Sequence, residues 1–100
     1  MKLQIQAINF DADQKLLQFT QKKMDKLDTF FDRIIDGEVY LKVETNDEKG
    51  NKSVHLQVHL AAKQDLNVKE QAESFEEAID TACEVMARKL KRLKEKMNEF

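Results

Sequence analysis

The sequence predicts an α+β fold of order β-α-β-β-β-α, a four-stranded mixed sheet with two helices packed on one face. Three observations lead there. Several short stretches alternate apolar and polar residues, as at Leu3, Ile5 and Ala7 or at Val54, Leu56, Val58 and Leu60, the pattern of strands with one face covered and the other in water. Two longer stretches repeat apolar residues at steps of three and four, the spacing of a helix with one buried stripe. Two such helices cover one side of one sheet, and the absence of a final strand after the second helix disfavours a ferredoxin-like arrangement.

Lys2 to Ala7 reads as the first strand. Ile8 and Phe10 lead into Asp11-Ala-Asp13, where an aspartate caps a helix expected to run through about Phe31. Leu16, Thr20, Met24, Leu27 and Phe31 form its inward stripe, while Lys15, Lys22 and Lys26 line an outward flank and Lys23 stands nearer the buried edge. Phe19 borders both regions and reads as core edge more readily than as a platform for a base. Asp36-Gly37 predicts a turn with a positive φ at the glycine. Strands are expected over Glu38 to Thr45 and Lys52 to Leu60, joined by the polar hairpin loop Asn46 to Asn51. A short turn around Lys63 to Asp65 then leads to a fourth strand over Asp65 to Glu73. The first crossover should be right-handed and set strands one and two parallel, with strands three and four added antiparallel.

The last helix carries the most information. Ser74 is placed to cap it and Glu77 to reach back to the Ser74 amide, a capping box that satisfies two otherwise orphaned donors. Phe75, Ile79, Ala82, Met86, Leu90, Leu93 and Met97 give the buried stripe. The first half holds Glu76, Glu77, Asp80 and Glu84, and the second half Arg88, Lys89, Lys91, Arg92, Lys94 and Lys96 against Glu95 alone. The helix macrodipole favours that polarity, yet six bases between Arg88 and Lys96 exceed what it needs. Arg88, Arg92 and Lys96 stack four residues apart with Lys91 beside them, roughly opposite the core stripe. That row is a candidate surface for phosphate; from these residues alone, a merely solvated helix end reads equally well.

Composition bounds the function. One hundred residues make one domain, and 41% apolar with 36% charged content suits a small, highly charged globule. The single cysteine, Cys83, excludes an internal disulfide, fits a reducing cytosolic home and reads as a buried small hydrophobe. No stretch approaches a membrane span or a signal sequence. The net charge of −2 by itself argues against nucleic acid. Its distribution argues the other way, because residues 65 to 84 carry seven acids and one base and residues 85 to 97 carry six bases and one acid. His55 and His59 lie about 13 Å apart along a strand, too far to share one ion. With two glycines, no nucleophile beside a base and no assignable carboxylate pair, neither an enzyme nor a metal or other cofactor is expected.

Lys26-Leu-Asp-Thr-Phe-Phe-Asp-Arg-Ile34, then Val39-Tyr-Leu-Lys-Val-Glu44, then Glu77-Ala-Ile-Asp80 with Ala87-Arg-Lys-Leu90, resembles the ribosome hibernation promoting factors and ribosome-associated translation inhibitors, also called sigma-54 modulation or ribosomal subunit interface proteins. The likeness spans the whole chain. It implies a fold akin to a double-stranded RNA binding domain with an extra first strand, and a cytoplasmic protein. Such a protein binds the small ribosomal subunit between head and body, competes there with messenger RNA and transfer RNA, and silences idle ribosomes in stress or stationary phase. No membrane partner is implied, and the free protein is expected to be a monomer.

Basic positions matching the family are Lys23, Lys26 and Arg33, then Arg88, Arg92, Lys94 and Lys96. The resemblance sets these against ribosomal RNA, mainly its phosphates. The helical wheel adds Lys22, Lys89 and Lys91. Ser74 and Glu76 stand where the family often has an aspartate and a tyrosine, so a contact made by that tyrosine is not carried over. Neither the acidic tail of some short inhibitors nor the dimerisation domain of long hibernation factors is expected, and pairing of ribosomes by this chain alone is not implied. Two other readings stay open. One is a free-standing double-stranded RNA binder, opposed by Glu76, Glu77 and Asp80 at the start of the last helix. The other is a protein-interaction domain that uses the basic helix.

Overall fold

In the computed structural model, which describes residues 1–44 and 50–97, the six expected elements occur in the expected order. They are strand β1 (Lys2–Ile8), helix α1 (Gln14–Asp25), strands β2 (Ile34–Val43), β3 (Lys52–Leu60) and β4 (Gln64–Ala72), and helix α2 (Phe75–Met97). The strands form one sheet in the order β1-β2-β3-β4, with β1 parallel to β2 and both later pairs antiparallel.

One face of this sheet makes the core. Val39, Leu41, Val54, Leu56, Val58, Leu60 and Val68 are buried there beneath Leu16, Met24, Leu27 and Phe31 from the first helical segment and Ile79, Ala82, Met86 and Leu90 from α2. Every residue of the first predicted helical stripe is buried, Thr20 included. Its hydroxyl donates to the Leu16 carbonyl at 2.8 Å, so burying it strands no donor. In α2 the stripe is buried through Leu90, Leu93 is only half-buried, and the side chain of Met97 lies outside the described residues. β1 is an edge strand, and its Leu3 and Ile5 are half-buried.

Local chemistry sets the boundaries. Asp13 caps α1, its carboxylate accepting from the Leu16 amide at 2.8 Å. The helix expected to reach Phe31 ends at Asp25, and Lys26–Thr29 continues as a tighter 3-10 turn. The Phe30 amide donates to the Leu27 carbonyl at 3.1 Å, a three-residue reach that winds up the last turn, and the Thr29 side-chain hydroxyl donates to the Lys26 carbonyl at 2.6 Å. Leu27 and Phe31 still point inward, which is why the periodicity persists across the change. At α2 the Ser74 hydroxyl accepts from the Glu77 amide at 3.1 Å; the return bond from the Glu77 carboxylate is not made among the described residues.

Asp36-Gly37 is not a turn. Both residues lie in β2, which starts four residues earlier than expected, and Gly37 pairs with Leu3 on one side and Val58 on the other. A Cβ on Gly37 would stand 2.9 Å from Met1 Sδ and 3.2 Å from Leu3 Cδ1, so glycine is there to leave room for side chains. A bulge between Ile34 and Asp36 leaves Ile35 exposed. The turn placed at Lys63 to Asp65 falls instead over Ala61–Lys63, where Ala62 and Lys63 take positive φ, and β4 begins at Gln64. The hairpin loop expected over Asn46 to Asn51 lies mostly outside the described residues. At its exit Gly50 has φ +82°, and the Glu44 amide bonds the Asn51 carbonyl at 2.8 Å.

Candidate nucleic-acid interface

Three contacts order the two helices against each other. Near their starts Phe10 and Phe75 stack with ring centroids 4.6 Å apart. Midway, Lys23 Nζ meets an Asp80 carboxylate oxygen at 2.8 Å. Farther along, Lys91 Nζ sits 5.2 Å from the centre of the Phe30 ring. Residue numbers rise together on both sides, so the helices run in the same direction and their C-terminal ends meet at one end of the molecule. Both carbonyl ends of the helix dipoles therefore point there, and the bases of both segments gather where cations are favoured.

The basic residues do not all serve that end alike. Lys22 and Lys26 are exposed and border one open groove along the outer side of α1. Lys26 also borders a second groove between the helices, together with Phe30, Asp80, Cys83 and Ala87. Arg33 is exposed just before β2, where its carbonyl accepts from the Ala61 amide at 3.2 Å. On α2, Arg88, Lys89, Lys91, Arg92, Lys94 and Lys96 are all exposed. Arg88, Arg92, Lys94 and Lys96 make no ion pair among the described residues, leaving their charges available to an external anion. Burial ends at Leu90 and Leu93, so the last basic turn stands clear of the core.

Three lysines are engaged by partners within the protein. Lys23 pairs with Asp80, which holds its ammonium above the ordinary lysine pKa by a hydrogen bond and by charge. It also lies 5.4 Å from the centre of the Phe19 ring. Lys89 turns toward the sheet and donates to the Asn67 carbonyl at 2.9 Å. Lys91 lies over Phe30, a cation–π contact that keeps its charge on the seam between the helices. Sequence reasoning placed no partner for these lysines, because Asp80, Asn67 and Phe30 are remote from them along the chain and no local spacing marks such pairs. Cys83 is buried beside Met24, and burial pushes its thiol up to about 11, which keeps it a protonated packing group.

Among the described residues no cluster of histidine, cysteine and carboxylate groups is arranged to hold a metal ion, and no helix is long and apolar enough to cross a membrane. The chemistry on offer is a one-sided display of cations on a rigid helix pair.

The fold has close counterparts. A ribosomal subunit interface protein from Coxiella burnetii superposes with a TM-score of 0.82 at 20% identity, over 94% of this chain and 98% of that one. The N-terminal domain of Thermus thermophilus Protein Y superposes with a TM-score of 0.78 at 22% identity, over 93% of this chain and 99% of that one. No curated protein matches the chain. Residues 3–98 match the family described as sigma 54 modulation protein / S30EA ribosomal protein, and with nearly its whole length matched the chain belongs to that family.

Proposed function

We propose that residues 1–100 act as a single ribosome-binding domain that occupies the small subunit between head and body, in the path of messenger RNA and transfer RNA. It thereby keeps idle ribosomes from translating. The observation that carries this reading is the parallel helix pair. It turns the second halves of both helical segments toward one end, with Lys26 on one and Arg88, Lys91, Arg92, Lys94 and Lys96 on the other, and with Lys22 and Arg33 exposed on the flanks of a chain whose net charge is −2. Membership of the S30EA ribosomal protein family supports a ribosomal partner, and the likeness to a protein named for the ribosomal subunit interface points the same way. Such a display grips phosphates by charge and shape and leaves base edges unread. The arrangement asks for no cofactor and no bond-making step, and it belongs in the cytoplasm with the ribosome.

The test is co-sedimentation of the purified protein with ribosomes and with isolated small subunits across a salt series, with transfer RNA and messenger RNA as competitors. Binding to the small subunit that weakens steeply with salt, and that the competitors prevent, is the expected result. Binding indifferent to the competitors, or none, overturns it.

A further inference from the structure

The open face of the sheet, turned away from both helices, carries a second feature. The register places Gln6, Tyr40, His55 and Lys69 side by side in one row across all four strands. Tyr40 and His55 are neighbours on the central strands, with ring centroids 5.7 Å apart and planes tilted by 36°. Each ring is fastened at its rim. The Tyr40 hydroxyl donates to Glu38 at 3.2 Å, and His55 Nε2 lies 2.9 Å from the Asn67 carboxamide oxygen.

A shallow concavity of about 400 Å³ opens beside this pair, bordered by Ile8, Lys42 and Ser53 from the next row. Ile8 is one of two large apolar side chains exposed among the described residues. Charge is divided along the face. Asp36, Glu38 and Asp65 crowd around His59 at one end. The two rows at the other end hold Lys42 and Lys69 and no carboxylate, with Glu44 one step beyond at 3.9 Å from Lys42. An anion is therefore directed to the half that holds the aromatic pair.

We propose that this half of the sheet binds single-stranded RNA, one base stacking on the Tyr40–His55 pair while backbone phosphates lie against Lys42 and Lys69. Rings preset on a rigid sheet lose little freedom when a base covers them, and any base offers a π-face, so the site tolerates sequence. The surface differs from the helix surface under "Proposed function", and its occupancy does not depend on ribosome binding.

The experiment is a titration of the ¹⁵N-labelled protein with hexauridylate followed by NMR, with inorganic polyphosphate as a control that has charge and no bases. Tyr40 is the only tyrosine in a chain without tryptophan, so quenching of its emission gives an independent readout of stacking. Saturable shifts at Tyr40, Lys42, His55 and Lys69 with quenching by the oligonucleotide, and no matching response to polyphosphate, are expected. Tyr40→Val and His55→Val, each checked for a native spectrum, should weaken binding about tenfold, as loss of one stacked base does. Shifts confined to α1 and α2, no shifts, or equal responses to polyphosphate would overturn the proposal, and the wild-type titration decides this even where a variant fails to fold.

Discussion

Lys23 on α1 and Asp80 on α2 join the two helices through a 2.8 Å ion pair at the edge of the basic surface. This makes Lys23 unlike its neighbours, because its charge is already met from within. Lys23→Gln should therefore weaken ribosome co-sedimentation less than Lys26→Gln does, and Asp80→Asn, which releases Lys23, should strengthen it at low salt. Equal losses from Lys23→Gln and Lys26→Gln would mean that the pair opens on binding.

Arg88 and Arg92 face away from the core and have no internal ion-pair partner among the described residues. Reversing both to glutamate should abolish small-subunit binding and leave stability within about 0.5 kcal/mol of wild type, as for other exposed positions. Arg88→Lys with Arg92→Lys should bind with intermediate strength, since lysine keeps the charge and loses the planar fork. A well-folded double-glutamate variant that still pellets with ribosomes removes this surface from the mechanism.

His59 lies between three carboxylates, with Nδ1 2.7 Å from Asp65, Nε2 3.1 Å from Glu38 and Nε2 3.8 Å from Asp36. The Asp36 oxygen facing it is enclosed and has no hydrogen-bond partner. Hydrogen bonds to Asp65 and then Glu38 raise the His59 pKa, against a smaller opposing effect of burial. A folded pKa above the unfolded one gives stability that is complete below about pH 6.5 and is lost as pH rises through the folded value. Melting temperature should therefore decline from about pH 6.5 upward, and His59→Gln should flatten that decline. An unchanged profile in His59→Gln would assign the slope to other groups.

Gly37 sits where a Cβ would meet Met1 Sδ at 2.9 Å and Leu3 Cδ1 at 3.2 Å, with the Gln57 carbonyl at 3.4 Å. The two closest atoms are ends of flexible side chains, so Gly37→Ala should be nearly neutral in urea unfolding. Gly37→Val adds bulk that β1 and β3 leave no room for and should cost about 1 to 3 kcal/mol.

Met86, on the inner face of α2, is fully buried. Met86→Ala should destabilise by about 2 to 5 kcal/mol in urea unfolding, the usual range for emptying such a site. A loss well below that would show that α2 settles into the space.

Much of the fold was legible because its elements are amphipathic and regular. Lys52–Leu60 was bounded correctly by alternation alone, and the stripe from Leu16 to Phe31 was read correctly even though its last turn is a 3-10 segment, since both geometries keep Leu27 and Phe31 inward. Gly37 was misread because glycine marks a turn and a crowded strand alike; only the position of Met1 and Leu3 beside it distinguishes the two. The turn expected at Lys63 to Asp65 falls two residues earlier, over Ala61–Lys63, for the opposite reason, as alanine and lysine carry no signal for the positive φ that Ala62 and Lys63 adopt.

By itself the sequence determined the element order, the inward stripes, the split of charge along α2 and the identity of the basic residues, since each follows from spacing within a few neighbouring positions. Tertiary structure alone decided that α1 and α2 run in the same direction, so that Lys26 shares a groove with Ala87, where the basic half of α2 begins. It also decided which lysines are withdrawn, Lys23 by Asp80 and Lys89 by the Asn67 carbonyl. Those outcomes depend on pairs far apart in the chain, whose approach is set by burying two stripes on one sheet, and no local pattern records which distant residue ends up opposite which.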